Sequence, residues 1–190
     1  VIYCVLAAVL LAGLVLGCAP APPKPEEKVT LKLVGFLPVN DPSYDMLWKW
    51  RERVEKESNG NITIKVVGGP EAIPSFEQME AAKRGVVDLL ATASAYHAKE
   101  MAEAMSFSHS EITPSEERKV GYSDLMDKLY REKLNVTYLG RFWWPGGYNI
   151  WSNKVLKKID DFKGVRMRVS PVYEPHVKAL GMVLMSTTFA

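Results

Sequence analysis

The chain has 190 residues, 47% of them hydrophobic and 24% charged, with 24 Lys and Arg against 22 Asp and Glu. That apolar share excludes a generally disordered or low-complexity chain, and at about 150 residues per domain the length makes one domain or one and a half. A net charge of +2 offers no basic field of the kind that holds phosphate backbones, so nucleic acid is not an expected partner.

Val1 to Gly17 contains no charged residue and is dominated by Leu, Val and Ala. A bilayer-spanning helix needs about 20 such residues, so a signal-anchor helix is one reading of the run. The other follows from its ending, Leu14-Val15-Leu16-Gly17-Cys18, and from the next residues, Ala19-Pro20-Ala21-Pro22-Pro23-Lys24-Pro25. No helix continues through that proline density. The stretch resembles a bacterial lipoprotein signal, which implies cleavage before Cys18, a lipid on Cys18, a Pro-rich linker over 18–28 and a mature domain outside the cytoplasm. Neither an initiator Met nor a basic n-region precedes the apolar run, so the start of the chain is expected upstream of Val1. Cys4 and Cys18 are the two cysteines, and beyond them disulfides, thiolate metal sites and cysteine nucleophiles are excluded.

After the linker, Val29–Phe36 (VTLKLVGF) is β-branched and partly alternating, and reads as a strand. Asp41-Pro42-Ser43 supplies an N-cap and an early proline for a helix that turns Tyr44, Leu47, Trp48 and Val54 to one side and stops at Asn59-Gly60. Asn61–Val67 is a second strand, broken by Gly68-Gly69-Pro70. Ser75 and Gln78 have capping-box spacing and open a short helix that closes at Gly85. Val86–Ala93 is a third strand, expected to be buried. This βαβαβ rhythm predicts a largely parallel sheet with right-handed crossovers. Thr113-Pro114-Ser115-Glu116 combines N-cap, N1 proline and N3 glutamate, starting a helix whose Val120, Leu125, Leu129 and Tyr130 are expected to face the core. Asn135–Trp144 reads as a further strand and Tyr148–Ser152 as short and extended. Gly164–Val169 (strand), Val172–Leu180 (helix) and Gly181–Met185 (strand) form a second βαβ unit. The sequence then stops at Thr188-Phe189-Ala190 without cap or polar tail. The expected organisation is a first α/β domain over 29–144 and the start of a second, incomplete one over 145–190.

Catalysis has no candidate constellation. His97, His109 and His176 lack metal-ligand spacing and an HExxH frame, and are expected at the surface or on helix faces. Glu116-Glu117 belongs to a helix start, where acids complement the macrodipole, and Asp160-Asp161 need not converge on one substrate. No G-x-S-x-G elbow, P-loop or G-x-G-x-x-G is present. No cofactor or metal site is therefore expected, and the chain is not read as an enzyme. Binding does have a candidate. Arg166 and Arg168 alternate with Val165, Met167 and Val169, so both point to one sheet face, either as solvated charges or as a carboxylate grip. Near them in sequence stands Arg141-Phe142-Trp143-Trp144-Pro145-Gly146-Gly147-Tyr148, whose aromatics are either the apolar wall of a ligand site or interdomain core.

Read in order, Gly68-Gly69-Pro70, Met79-Glu80-Ala81-Ala82-Lys83-Arg84-Gly85-Val86-Val87-Asp88, Phe162-Lys163-Gly164-Val165-Arg166-Met167-Arg168-Val169 and Val177-Lys178-Ala179-Leu180-Gly181-Met182-Val183 resemble the DctP-like solute-binding proteins of TRAP (tripartite ATP-independent periplasmic) transporters, over roughly residues 29 to 189. The resemblance implies an α/β, periplasmic-binding-protein-like two-domain clamp with largely parallel sheets and flanking helices, the second domain incomplete. It implies a clamp that captures a small-molecule carboxylate and delivers it to TRAP membrane permease subunits, held at the membrane through Cys18. Arg168 falls on the arginine that grips the ligand carboxylate, Arg166 on a basic but less involved position, and Trp144 and Tyr148 near the cleft. Many members carry another arginine where this chain has Tyr148, a departure that weakens the expectation of a dicarboxylate. Asn40, Ser75 and Ser94 resemble cleft-lining positions of the first domain. A lipid-anchored ligand receptor or sensor accessory protein of the same fold, uncoupled from transport, is the alternative.

Overall fold

The computed structural model describes residues 28–142 and 149–185. Cys18, Trp144 and Tyr148 lie outside the described residues, as do the apolar leader and the linker up to residue 27.

Strand β1 (Val29–Gly35) is the centre of a three-stranded parallel sheet of order β2-β1-β3, with β2 at Ile62–Gly68 and β3 at Leu89–Ala91. The burial of β1 runs from exposed at Val29 to fully buried at Leu33 and Val34. Its C-terminal end is therefore the buried one. Helix α1 (Asp45–Glu57) follows a short 3-10 turn, Pro42–Tyr44, whose Asp41 cap accepts from the Ser43 N–H at 2.8 Å. Tyr44 and Leu47 are buried beneath it, and Asn59 and Gly60 end it with positive φ values of 52° and 75°, a left-handed exit that those two residue types adopt at little cost. The Tyr44 hydroxyl accepts from the Leu37 N–H at 2.7 Å and lies directly over Gly35, where any Cβ would collide with it. Burial pushes the Tyr44 hydroxyl up to about 12, against a weaker lowering by the Leu37 hydrogen bond.

Helix α2 (Gln78–Lys83) corrects the capping-box expectation. Its cap position is Glu77, with no side-chain cap bond. Ser75 Oγ donates instead to Phe36 O at 3.3 Å, and Gln78 Nε2 donates to Gly35 O at 2.7 Å and to Ile73 O at 2.9 Å. Both side chains are buried polar staples onto the end of β1. Strand β3 is shorter than expected for a physical reason. The Lys32 N–H bonds the Asp88 carboxylate at 2.8 Å, so a side chain takes the ladder donor there, and Val86, expected to be buried, is 53% exposed.

Helices α3 (Ser106–His109), α4 (Pro114–Lys119) and α5 (Tyr122–Leu134) follow. The Thr113 capping box forms as expected, but Gly121, with φ of 78°, breaks the single expected helix into α4 and α5. Val120 and Leu125, expected in the core, are 68% and 53% exposed; Tyr130 is buried as expected, together with Met126 and Leu134. Asn135 caps α5 in the left-handed region, and no strand forms over the described residues 135–142, contrary to the expected strand there. Over 149–185 a two-stranded parallel sheet pairs β4 (Arg166–Arg168) with β5 (Val183–Met185), joined through a 3-10 turn and helix α6 (Glu174–Ala179). Strands and helix are each shorter than the sequence suggested. Three clusters of buried side chains result: one between β-sheet and α1, one around α5, and one of Val169, Val177 and Met182 under the second sheet.

Candidate functional site

In a parallel sheet of order 2-1-3 the crossovers leave opposite faces on either side of β1, and a crevice opens at the carboxyl ends of β1 and β3. Here those ends are Phe36-Leu37 and Ala91–Tyr96, tied by the Phe36 N–H to Ala91 O bond at 2.9 Å. The 3-10 turn Ser94–Tyr96 carries Tyr96 to this point, where its ring packs on Phe36 (centroids 5.7 Å apart) and edge-on to Phe76 (5.0 Å). The Tyr96 hydroxyl stands near the Arg168 guanidinium and the Ser75 hydroxyl, close enough that both hold its ionisation down. A guanidinium only donates, so Tyr96 Oη is the acceptor facing Arg168, and Ser75 Oγ beside it donates to Phe36 O at 3.3 Å. Arg168, Tyr96 and Ser75 thus stand together beside the end of β1. Burial raises the Tyr96 hydroxyl, while the charge and hydrogen bond of Arg168 and the Ser75 contact pull it down.

The structure therefore brings together Arg168, Ser75 and the Ser94 turn, three positions expected from the sequence. Ser75 is buried, Ser94 is half-buried, and Arg168 is exposed enough to meet a solute. Arg166 occupies the same face of β4, two pairs earlier in the ladder and opposite Val183, and is also exposed. Asn40 sits exposed on the Pro38–Asp41 turn. Trp144 and Tyr148 lie outside the described residues. Tyr96 was not picked out from the sequence, although an aromatic on the loop after a parallel strand is the signal that points to it. An open groove of about 540 Å³, lined by Val39, Trp48, Arg51 and Glu71 among others, includes none of Ser75, Ser94, Tyr96 or Arg168.

His97, expected at the surface or on a helix face, is buried. Its Nε2 lies 2.7 Å from the Tyr130 hydroxyl, while its Nδ1 finds no hydrogen-bond partner among the described residues. Burial holds the ring down at about 4, so it is neutral at pH 7. Among the described residues no group of three or more His, Cys, Asp or Glu is placed to hold a metal ion, and no helix is long and apolar enough to cross a membrane.

Residues 33–190 match the family model DctP, the bacterial extracellular solute-binding protein family 7. The chain belongs to this family. The C4-dicarboxylate-binding periplasmic protein DctP of Rhodobacter capsulatus is 28% identical to it over 193 residues, covering 92% of this chain and 54% of the relative. The solved TRAP periplasmic solute-binding protein of Pseudomonas putida F1, with bound D-glucuronate, matches at a TM-score of 0.66 and 21% identity, covering 84% of this chain and 55% of that one. That of Desulfovibrio salexigens, with bound orotic acid, matches at a TM-score of 0.65 and 18% identity, covering 85% and 54%. The fold is thus that of TRAP periplasmic solute-binding proteins, and the chain spans about half the length of the family 7 relatives it matches.

Proposed function

We propose that this family 7 chain belongs to the extracytoplasmic solute-binding subunit of a TRAP transporter, which captures an organic acid through Arg168 and delivers it to the membrane permease. The observation that carries the reading is the Arg168–Tyr96 contact at the β1/β3 crevice. It sets an always-charged, fork-shaped donor against an aromatic wall of Phe36, Phe76 and Tyr96. A carboxylate entering there takes two parallel N–H···O bonds from Arg168, and the Tyr96 hydroxyl beside it is a second partner for it. The bound forms of the Pseudomonas putida and Desulfovibrio salexigens relatives, D-glucuronate and orotic acid, are both acids and support that ligand class. Arg166 supplies further positive potential on the same face, and Ser94 and Asn40 stand on the loops that border the crevice. In this reading the first domain runs over 29–144, the second begins at 145, and cleavage before Cys18 leaves a lipid-tethered protein outside the cytoplasm. Closure is a shift of an open–closed equilibrium toward the form in which the charge pair is made.

The test is isothermal calorimetry of the protein against a panel of organic acids that includes D-glucuronate and orotate, with and without Arg168→Ala. Removing one partner of a buried charge pair costs ~2–5 kcal/mol, so affinity should fall by about one and a half to more than three decades. An unchanged affinity refutes Arg168 as the anchor.

A further inference from the structure

Glu117 and Arg141 form the most deeply buried ion pair among the described residues, with side-chain exposures of 2% and 11%. Arg141 Nη2 meets Glu117 Oε1 at 2.5 Å and donates to Ile112 O at 3.0 Å. Its Nε reaches Glu117 Oε2 at 3.2 Å, and its Nη1 donates to Phe107 O at 3.4 Å. The guanidinium also lies 5.6 Å from the centroid of the Phe107 ring. One side chain thereby ties α3, the loop before α4, and α4 itself to its own stretch of backbone. Earlier in that stretch Val136 and Tyr138 pack on the helical cluster, and the Tyr138 N–H donates to Asp127 Oδ1 at 2.9 Å; from Leu139 on, Arg141 is the side chain that ties the chain to it. No helix or strand forms over the described residues 135–142, Leu139 is 69% exposed, and Gly140 has a φ of 129°. The next residue, Phe142, turns the other way, packing against the sheet cluster with its ring 6.1 Å from that of Tyr44. Residues 141 and 142 thus pin the chain between the helical core and the sheet core, and every residue from 149 onward is reached through this point.

A buried ion pair is weak grounds for stability, because desolvating two charges costs about what their attraction returns; its better-attested use is to fix register. We infer that Arg141 is a positioning residue: its pair with Glu117 sets the direction in which the chain leaves the helical cluster and so holds Arg168 opposite Tyr96. The inference rests on Arg168 and Tyr96 forming the ligand site, but its test needs no ligand. In the full 190-residue chain with Cys4→Ser and Cys18→Ser, spin labels are placed at Lys56→Cys on α1 and Lys178→Cys on α6, both exposed, and their distance distribution is measured by double electron–electron resonance. Glu117→Leu with Arg141→Met replaces the pair by apolar groups and should leave Tm within a few degrees while at least doubling the width of the distribution. Unchanged width at unchanged Tm overturns the inference, as does a parent distribution already as broad as the variant's. If the double variant does not fold, Arg141→Lys decides. It keeps the charge beside Glu117 but loses the bonds to the Phe107 and Ile112 carbonyls; a widened distribution supports positioning and an unchanged one overturns it. Failure here leaves the Arg168 calorimetry untouched, so the two readings fail separately.

Discussion

The residues before and after position 142 are held together by different means. The N-terminal part closes two clusters of seven and six buried side chains, around β1 and around α5. Among the described residues, the C-terminal part has a cluster of three buried side chains, Val169, Val177 and Met182, and leaves Trp151 85%, Val155 81% and Ile159 72% exposed. Fully burying a Val, Leu or Met gains roughly 1.5–3 kcal/mol each, so the first part carries most of the folding energy of the described chain. The proposed site divides the labour between the two parts. The buried end of the three-stranded sheet presents Tyr96 and Ser75, and a two-stranded sheet presents Arg168 to them.

The largest expected effect tests that division directly. Leu33, 2% exposed at the centre of the parallel sheet, should cost about 2–5 kcal/mol when cut to Ala, seen as a lower midpoint of urea unfolding. Val177→Ala removes two methyl groups from the smaller cluster, at about 0.8 kcal/mol per group plus a cavity term. Its effect should be local. Hydrogen exchange at the Val169 and Val183 amides should accelerate, while the amide of Leu33 keeps its protection. Equal acceleration of all three would mean that the two parts unfold as one unit and would break the comparison.

A second test uses the buried histidine of the N-terminal part. His97 is neutral in the folded protein, held down at about 4 by burial, while in the unfolded chain it takes a proton near its ordinary 6.5. Between those values the unfolded state binds more protons, so stability falls as pH drops from about 6.5 to 4, by roughly 3 kcal/mol in all. Urea midpoints measured across that range should show the decline, and His97→Gln should remove most of it. An unaltered slope in the variant would place the acid sensitivity elsewhere.

Much of this arrangement was legible in the residues. β1, the turn at Asp41-Pro42-Ser43, the Thr113 cap and the parallel order followed from period, proline placement and capping chemistry, because each is decided within a few residues of chain. Arg168 and Ser75 were reached through family resemblance, and the structure places both beside Tyr96. What failed depended on distant partners. The Ser75–Gln78 spacing imitates a capping box, yet both side chains satisfy carbonyls of β1 and of Ile73. The apolar run 86–93 yields only three strand residues, because Asp88 lends its carboxylate to the Lys32 N–H. His97 carries no mark of burial in its neighbours Tyr96 and Ala98, since Tyr130, thirty-three positions away, is what receives it. Glu117 looked like half of a helix-start acid pair until Arg141 folded back onto it.

The smallest effect is the most pointed, because it asks whether the two parts touch at the proposed site. Tyr96→Phe removes one hydroxyl and with it the Arg168 and Ser75 contacts, a loss of about 0.5–1.5 kcal/mol for a single hydrogen bond. Its spectroscopic counterpart discriminates better. Burial raises the Tyr96 hydroxyl, and the Arg168 charge and hydrogen bond work against that rise. Arg168→Ala should therefore push the Tyr96 ionisation to higher pH. The shift can be isolated by ultraviolet titration of the phenolate, taking Tyr96→Phe as the blank in both backgrounds so that the other seven tyrosines cancel. A Tyr96 titration indifferent to Arg168 would mean that β4 does not stand over the β1/β3 crevice in solution. A shift in the expected direction would show Arg168, the proposed carboxylate grip, already facing Tyr96 before any solute arrives.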